Sequence, residues 1–227
     1  MQQYFVCEEL NVNKTISLNE DIVFHLTKVL RNSENSFRLC DINGRIFLAR
    51  LENNKAFIFE SLDENNELEH DVTALISIIK QDKFEIILQK LCELGVKRIV
   101  PVITAYSQDL IFTDNRITRF NKILKEAAEQ SHRNFVPELL SPIKLSEISN
   151  YLSDINIVPY EKSLDKFDID INNKTISFII GPEGGFKKEE IDYLKNNSFV
   201  DTSLGKRILR AETAAITMMS YILKDIQ

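Results

Sequence analysis

The sequence is poor in several residue types and segments, and each shortage excludes a class of protein. It has three cysteines, no tryptophan and no run of about 18 uninterrupted apolar residues, which a membrane-spanning helix needs. The opening residues lack the basic region and apolar run of a secretory signal. Cys7, Cys40 and Cys92 are odd in number and far apart, which indicates free thiols rather than a disulfide framework. We therefore expect a cytoplasmic protein with no membrane partner.

Histidine is also scarce, and the few histidines follow no pattern of a metal centre. His25, His70 and His132 have no spacing with one another, or with the cysteines, that is typical of zinc ligands. No nucleophile-elbow segment, in which glycines flank a reactive serine, is present. The sequence therefore predicts a protein with no metal and no hydrolase triad.

Basic residues are fewer than acidic ones, 28 against 34, so the formal net charge is −6. Residues 60–71 hold six carboxylates and no lysine or arginine, and the remainder of the chain is neutral. Residues 28–50 contain five basic residues against two acidic ones. A basic surface for nucleic acid is one interpretation of this region, and an ordinary solvated face is the other.

The acidic segment 60–71 also separates two regions with different sequence patterns, and it marks a domain boundary. Before them, short alternating segments, a turn signal at Asn43–Gly44 and helical spacing at 25–31 predict a small β-rich domain over residues 1–68. After them, strand-like and helix-like stretches alternate over residues 72–227. This order predicts an α/β fold with a mostly parallel sheet that helices cover on both faces.

The periodicity of the second domain locates its elements. Strands are predicted at 72–79, 98–104, 155–160, 175–181 and 199–205. Helices are predicted at 84–95, 117–131, 187–197 and 210–226. In the second of these helices the residues expected to face inward are Ile117, Phe120, Ile123, Leu124 and Ala127. The last helix is apolar over more than one stripe, so we expect it to pack on its own domain and on a second copy of the chain.

Two loops at the ends of predicted strands stand out. The chain has six glycines, and three of them lie in residues 181–186. A second loop, 203–210, contains Gly205 and leads into the last helix, at whose start Glu212 and Thr213 are placed to cap backbone donors. Glycines let a backbone approach a ligand closely, and ligands of parallel sheets bind beyond the carboxyl ends of the strands. The first loop matches neither GxxxxGKS/T nor GxGxxG, and a plain strand-to-helix turn is the alternative.

Five segments of the chain share their order and spacing with a known family. In chain order they are HLTKVLR, QKLCELGVKRIVPVIT, KEAAEQSHRNFVPEL, GPEGGF and LGKRILRAETA. The last two are long and specific, and the five together span essentially the whole chain. They resemble the ribosomal RNA small subunit methyltransferase E family, which belongs to the knotted methyltransferase superfamily called SPOUT.

The resemblance implies an α/β methyltransferase domain at 72–227 that ends in a trefoil knot, and a PUA-like β-barrel for RNA at 1–68. It implies a homodimer that uses S-adenosylmethionine to methylate N3 of a uridine in small-subunit (16S) ribosomal RNA. Knots are rare exceptions to the rules of chain topology, so no pattern of elements predicts one. The alternatives are a knotted methyltransferase that acts on another RNA site and a non-catalytic RNA-binding factor of ribosome assembly. Intact glycine loops together with Arg133 favour an enzyme.

The resemblance also assigns site residues by position. Those assigned to cofactor binding are Ile180, Gly181, Gly184, Leu204, Gly205, Ile208, Leu209, Arg210 and Thr213. Those assigned to RNA binding are Lys28, Arg31, Gln130, Ser131 and Arg133. Those assigned to catalysis are Arg133, Glu129 and Arg210. Arg133 or Arg210 would stabilise the developing uracil anion, and Glu129 or Glu183 would accept the N3 proton.

Two departures from the family concern the RNA side. The family commonly has glycine at the position of His132, and the glycine that usually follows the VLR motif is absent from NSENS at 32–36. Both differences bear on the RNA surface of the barrel rather than on the glycine loops. We also expect Arg133 to be exposed in a polar turn, so that its removal would leave stability unchanged.

Overall fold

The computed structural model describes residues 1–29, 36–164 and 174–224. The chain forms two compact units. Unit 1 comprises Met1–Glu67 and Ala128–Phe135, and unit 2 comprises Leu68–Ala127 and Val136–Gln227. The change of unit after Glu67 falls within the acidic segment, whereas residues 128–135 join unit 1 from the middle of the second predicted domain. Arg31, assigned to RNA binding, lies outside the described residues.

Unit 1 contains a five-stranded sheet. Its strands are β1 (Gln3–Phe5), β2 (Thr15–Ser17), β3 (Ser36–Cys40), β4 (Ile46–Glu52) and β5 (Lys55–Leu62). The order across the sheet is β1-β3-β4-β5-β2, with β1 parallel to β3 and the other neighbours antiparallel. The short predicted helix begins early, as α1 (Glu20–Phe24), because the Asn19 side chain accepts a hydrogen bond from the Ile22 N–H at 2.8 Å. A π-helical turn, His25–Val29, continues it.

The hairpin predicted at Asn43–Gly44 is confirmed between β3 and β4. The Asp41 carboxylate accepts hydrogen bonds from the backbone N–H groups of Asn43 and Arg45, each at 2.9 Å. Gly44 has a φ of +76°, in the left-handed region that glycine adopts without strain. A second hairpin joins β4 and β5 through Asn53–Asn54, both at positive φ, and its lack of an Asn-Gly pair left it unpredicted.

Unit 2 is built on a sheet in which all neighbouring strands are parallel, so the predicted α/β fold with a parallel sheet is confirmed. Its strands are β6 (Val72–Ser77), β7 (Arg98–Ile103), β8 (Glu138–Leu139), β9 (Ile143–Lys144), β10 (Ile155–Pro159), β11 (Ile176–Ile180) and β12 (Phe199–Thr202). They are ordered β12-β10-β11-β6-β7-β8, with β9 beside β7. Its helices are α2 (Gln81–Glu93), α3 (Asp114–Gln130, whose last residues belong to unit 1), α4 (Lys188–Asn196) and α5 (Ala211–Lys224). A 3₁₀ helix spans Leu145–Tyr151.

The burial of apolar residues explains why the sequence pattern predicts the strands and helices of unit 2. All residues of β6 are buried, the polar Thr73 and Ser77 included, as is typical of a strand in a parallel sheet. The helical spacing of α2 places Phe84, Ile87, Leu88 and Leu91 in the core. The prediction for α3 is wrong at Ile117, which is 36% exposed, because most positions in the first turns of that helix face solvent.

Helix α5 packs on α2 and β11 of its own unit. Its buried residues are Ala211, Ala215, Met218, Met219 and Ile222. Ala214 and Leu223, predicted for the same apolar face, are half-buried. No helix within the described ranges is long and apolar enough to cross a membrane.

A carboxylate of the acidic segment holds residues 128–135 in unit 1. Glu67 accepts hydrogen bonds from the Arg133 guanidinium and, at 2.9 Å, from the backbone N–H of Asn134. Gln3 Nε2 donates to the carbonyl oxygen of Arg133 at 2.6 Å. Arg133 is 3% exposed, so the prediction that it is exposed is wrong. A buried guanidinium requires a fixed counter-charge, and Glu67 provides it.

His132 has a φ of +57°, a left-handed conformation that side chains seldom adopt. Its Nε2 lies 2.9 Å from the carbonyl oxygen of Met1. The backbone conformation therefore explains why glycine suits this position in the similar family. Histidine adopts this conformation less readily than glycine, but its side chain contacts the Met1 carbonyl oxygen, which glycine could not do.

Replacement of Arg133 with alanine should lower the free energy of unfolding by about 3 kcal/mol, because loss of one partner of a buried ion pair leaves the other without its counter-charge. Arg50→Ala is the matched control, since Arg50 pairs with Glu52 through exposed side chains and should cost at most about 1 kcal/mol. Urea and thermal unfolding of both variants measure the difference. Equal stability of the two variants would contradict the structural role of Arg133.

Candidate functional site

A cavity of about 650 Å³ opens in unit 2 at the carboxyl ends of the parallel strands. Because β6, β10, β11 and β12 run in one direction, the loops that follow them meet at the same edge of the sheet. The lining comes from Lys80 and Lys83 after β6, from Tyr160 and Glu161 after β10, from residues 181–186 after β11, and from the loop between β12 and α5. The cavity therefore joins segments that are distant in the chain.

The two glycine loops form most of this lining. The assigned cofactor residues that line the cavity are Ile180, Gly181, Gly184, Leu204, Gly205, Ile208, Leu209 and Arg210. Thr213 is exposed on α5, and the lining includes its neighbours Glu212 and Ala214 but not Thr213 itself. The fold thus brings together all but one of the positions assigned to the cofactor.

The glycines of this lining are there for different physical reasons. Gly205 has a φ of +116°, which L residues rarely adopt, and among the described residues other than its two chain neighbours no atom lies within 4 Å of the place where its Cβ would stand. A Cβ at Gly184 would instead lie 3.1 Å from the Cβ of Tyr106, and one at Gly181 would lie 2.9 Å from Cε2 of Phe186. Gly205 is therefore required by its backbone conformation, whereas Gly181 and Gly184 admit the close packing of aromatic side chains.

Glu190 joins the first glycine loop to the segment that follows β7. Its Oε1 accepts a hydrogen bond from the backbone N–H of Ala105 at 2.7 Å, and its Oε2 accepts one from the N–H of Lys187 at 2.9 Å. The Lys187 ammonium lies 5.4 Å from the centre of the Tyr106 ring, and Tyr106 also packs against the loop at Gly184. Charge-assisted hydrogen bonds are stronger than neutral ones, so this carboxylate fixes the position of the cavity wall.

Both signs of charge surround the cavity. Lys83 and Glu212 pair at 3.5 Å between the starts of α2 and α5. The Glu212 carboxylate thus has a partner in Lys83, and the prediction that it caps its own helix stays a prediction. Glu183, Arg207 and Arg210 are exposed on the lining. The cavity can present a cation and a carboxylate to the same ligand.

The predicted residues around the end of α3 lie in unit 1. Glu129 is buried, and its Oε1 accepts a hydrogen bond from the backbone N–H of Phe5 at 3.3 Å. Burial, and after it the Glu129 carboxylate, raises the pKa of Tyr4 to about 12. Gln130 is exposed and Ser131 is half-buried. Their assignment to one site together with the cavity of unit 2 stays a prediction.

The basic region 28–50 is largely neutralised by ion pairs. Arg38, Arg45 and Arg50 each pair with a carboxylate. Lys28 is exposed on the π-helical turn. Among the described residues, the interpretation of this region as a basic RNA surface depends on Lys28.

No motif of the sequence indicated one side of the cavity. Lys80, Lys83, Pro159, Tyr160 and Glu161 line it without belonging to a glycine motif. The rule that ligands bind beyond the carboxyl ends of parallel strands applies to β6 and β10 as much as to β11 and β12. Applied to every predicted strand, it would have indicated these positions.

Comparisons with known proteins agree with this arrangement. Residues 66–223 match a family model described as an RNA methyltransferase domain. A ribosomal RNA small subunit methyltransferase E from Mesomycoplasma hyopneumoniae is 30% identical, over 99% of this chain and 100% of its own. A protein of the same name from Rickettsia conorii is 33% identical, over 96% of this chain and 93% of its own. The chain belongs to the ribosomal RNA small subunit methyltransferase E family.

Solved structures extend the family likeness to the fold. A ribosomal RNA small subunit methyltransferase E from Neisseria gonorrhoeae, bound to S-adenosylmethionine, matches with a TM-score of 0.89 and 33% identity, over 99% of this chain and 97% of its own. A putative methyltransferase from Legionella pneumophila, in complex with the same cofactor, matches with a TM-score of 0.87 and 29% identity, over 98% and 96%. Both matches include the two glycine loops of unit 2, because they cover almost the whole chain.

Glu190→Ala should raise amide hydrogen exchange about tenfold in residues 104–107 and 181–187, because both segments lose a hydrogen bond to a carboxylate. Glu189→Ala is the matched control, since Glu189 is exposed on the same turn of α4. Exchange followed by mass spectrometry compares the two variants with the wild-type protein. Unchanged exchange in Glu190→Ala would show that the carboxylate does not hold the loop.

Proposed function

We propose that the chain is an S-adenosylmethionine-dependent methyltransferase that methylates N3 of a uridine in small-subunit ribosomal RNA. The observation that carries the proposal is the cavity of unit 2, which both glycine loops line. It is supported by relatives named as ribosomal RNA small subunit methyltransferases and by a family structure bound to S-adenosylmethionine. The choice of N3 and of uridine comes from the family resemblance of the motifs.

The cavity suits this cofactor in size and in chemistry. Its volume of about 650 Å³ is within the range of about 300–1,000 Å³ that is usual for small-molecule sites. Ile180, Leu204 and Leu209 offer apolar surface to an adenine ring, and the backbone at Gly205 is open to close approach. S-adenosylmethionine, when bound, supplies an electrophilic methyl group on a sulfonium.

The residues of the chain have to orient the acceptor base and manage its proton. A uracil N3 is a poor nucleophile until its proton leaves, and the resulting anion spreads onto the flanking carbonyl oxygens. Arg210 is exposed on the cavity lining, where a fixed cation would stabilise that anion. Glu183, exposed on the same lining, provides a carboxylate that can accept the proton.

Arg133 and Glu129 keep their predicted catalytic roles in this proposal, with a constraint from their contacts. Because the Arg133 guanidinium is paired with Glu67, Arg133 would act as a charge in a fixed position rather than as a free side chain. Glu129 accepts a hydrogen bond from the Phe5 N–H, which limits the directions from which its carboxylate can be reached. Catalysis favours such fixed groups because they need no reorganisation during the reaction.

The acceptor base must be unpaired or flipped out, because N3 is engaged in a duplex. Lys28, Gln130 and Ser131 are proposed to contact the RNA around it, and Lys28 and Gln130 are exposed. A cytoplasmic location is part of the proposal, because the proposed substrate is ribosomal RNA.

Three features of architecture belong to the proposal. A trefoil knot at the end of the chain follows from the family resemblance of the motifs. A PUA-like role for unit 1 is supported by its five-stranded sheet with a single apolar core. A homodimer is supported by the half-buried Ala214 and Leu223 on α5.

The purified protein should transfer a methyl group from S-adenosylmethionine to small-subunit ribosomal RNA isolated from a strain that lacks it. Mass spectrometry of the digested RNA should identify N3-methyluridine. Arg210→Ala should lower kcat about a hundredfold, as expected for loss of one group that stabilises an anion. Arg119→Ala, an exposed arginine on α3, should retain the wild-type rate. Methylation of another base or ring atom would refute the N3 assignment, and an absence of methyl transfer would refute the function.

Gly205→Val should abolish binding of S-adenosylmethionine in a protein that still folds. A β-branched residue does not adopt a φ near +116°, so the loop must rearrange where it lines the cavity. Circular dichroism checks the fold, and calorimetry measures the affinity. A folded variant with the wild-type Kd would place the cofactor elsewhere.

A further inference from the structure

A second cavity of unit 2, of about 820 Å³, adjoins the first. The two cavities share Glu161, Gly205, Arg207 and Ile208 as lining residues. The remaining lining of the second cavity is Ser163, Leu164, Ser203, Lys206, Tyr221 and Lys224. A ligand long enough to occupy both cavities would therefore pass over the second glycine loop, and neither the cofactor nor a single base needs both spaces.

The second cavity concentrates cations that have no carboxylate partner among the residues that the structure describes. Lys206, Arg207 and Lys224 are exposed, and none of them forms an ion pair with a described residue. Glu161 is the one carboxylate of the lining among the described residues. Unpaired cations around a concave surface attract a polyanion, even on a chain with a net charge of −6.

Several other exposed cations of unit 2 are already paired with carboxylates. The side chains of Lys97, Arg119 and Lys195 are 58%, 61% and 46% exposed, and each is paired with an aspartate or a glutamate. An exposed lysine or arginine with a carboxylate partner is already neutralised and offers little to a phosphate. Lys206, Arg207 and Lys224 have no such partner within the described ranges and line one concave surface, and this grouping separates the second cavity from the surfaces around Lys97, Arg119 and Lys195.

Apolar side chains accompany these cations. Leu164 is 96% exposed and Ile208 is 88% exposed, and the half-buried Tyr221 lines the same cavity. Bases of single-stranded RNA contact apolar and aromatic surfaces, while their phosphates contact lysine and arginine. The combination fits a polynucleotide strand better than it fits a free inorganic anion, which has no apolar part.

We infer that the second cavity binds the ribose–phosphate strand of the RNA next to the target nucleotide, with Lys206 and Lys224 on its phosphates and Leu164 and Ile208 against its bases. This inference rests on the proposed function, because it assigns the neighbouring part of the same substrate. Arg207, which lines both cavities, would then mark the point where the strand passes from one to the other.

The test is the double variant Lys206→Glu/Lys224→Glu, whose two positions line the second cavity but not the first. Its KM for small-subunit ribosomal RNA should rise on the order of tenfold at low salt, and the plot of log affinity against log salt should become shallower by about 1.4, or about 0.7 for each lost phosphate contact with a single strand. Its Kd for S-adenosylmethionine should stay at the wild-type value. Lys206→Arg/Lys224→Arg should retain the wild-type KM, because it keeps both charges.

Lys122→Glu/Lys144→Glu is the matched control, since it makes the same change in net charge at exposed positions of unit 2 that line neither cavity. Wild-type KM and salt dependence in Lys206→Glu/Lys224→Glu, or an equal loss in the control, would overturn the inference. Loss of self-association by light scattering would assign these cations to a contact between copies and would also overturn it. A wild-type protein that binds the cofactor but methylates no RNA would instead refute the proposed function, and the inference with it.

Discussion

The common direction of the strands in unit 2 is the constraint on which the candidate site depends. Every neighbouring pair in this sheet is parallel, so the chain returns through connections that leave the ends of β6, β10, β11 and β12 at one edge. Reversal of any one of these strands would carry its loop to the opposite edge and remove one wall of the cavity. The ion pair between Lys83 and Glu212 exists for the same reason, since it joins the residues that follow two different strands.

Two carboxylates hold irregular segments that have no sheet or helix of their own to fix them. Glu190 accepts from backbone N–H groups of Ala105 and Lys187, and Glu67 accepts from the Arg133 side chain and the Asn134 backbone. A carboxylate withdrawn from water costs free energy unless donors surround it, so each of these groups also specifies the geometry of its donors. In both units, a single acidic side chain thus determines the shape of a segment to which the sequence assigns a functional role.

The sequence predicts the parts of the fold that local periodicity controls. The buried run of β6, the apolar spacing of α2 and the turn at Asn43–Gly44 are decided by residues close in the chain, and all three were predicted correctly. The glycine loops could be placed because strand ends share an edge. The burial of Arg133 could not be predicted, because its counter-charge, Glu67, lies far away in the chain within a segment that looked like a solvated acidic run. Patterns of single residues reveal which side chains are charged but not which charges meet.

The pairing of charges also explains how a chain with a net charge of −6 can meet a polyanion. In the acidic segment, Glu64, Glu67 and Asp71 each pair with an arginine or a lysine, so these three carboxylates leave little unpaired negative charge to repel a phosphate. Around the second cavity the cations have no such partners among the described residues. Charges beyond about 8 Å are largely screened at physiological ionic strength, so a phosphate responds to the local surplus rather than to the sum over the chain. The distribution of ion pairs, rather than the composition, therefore determines where the protein presents a local surplus of positive charge.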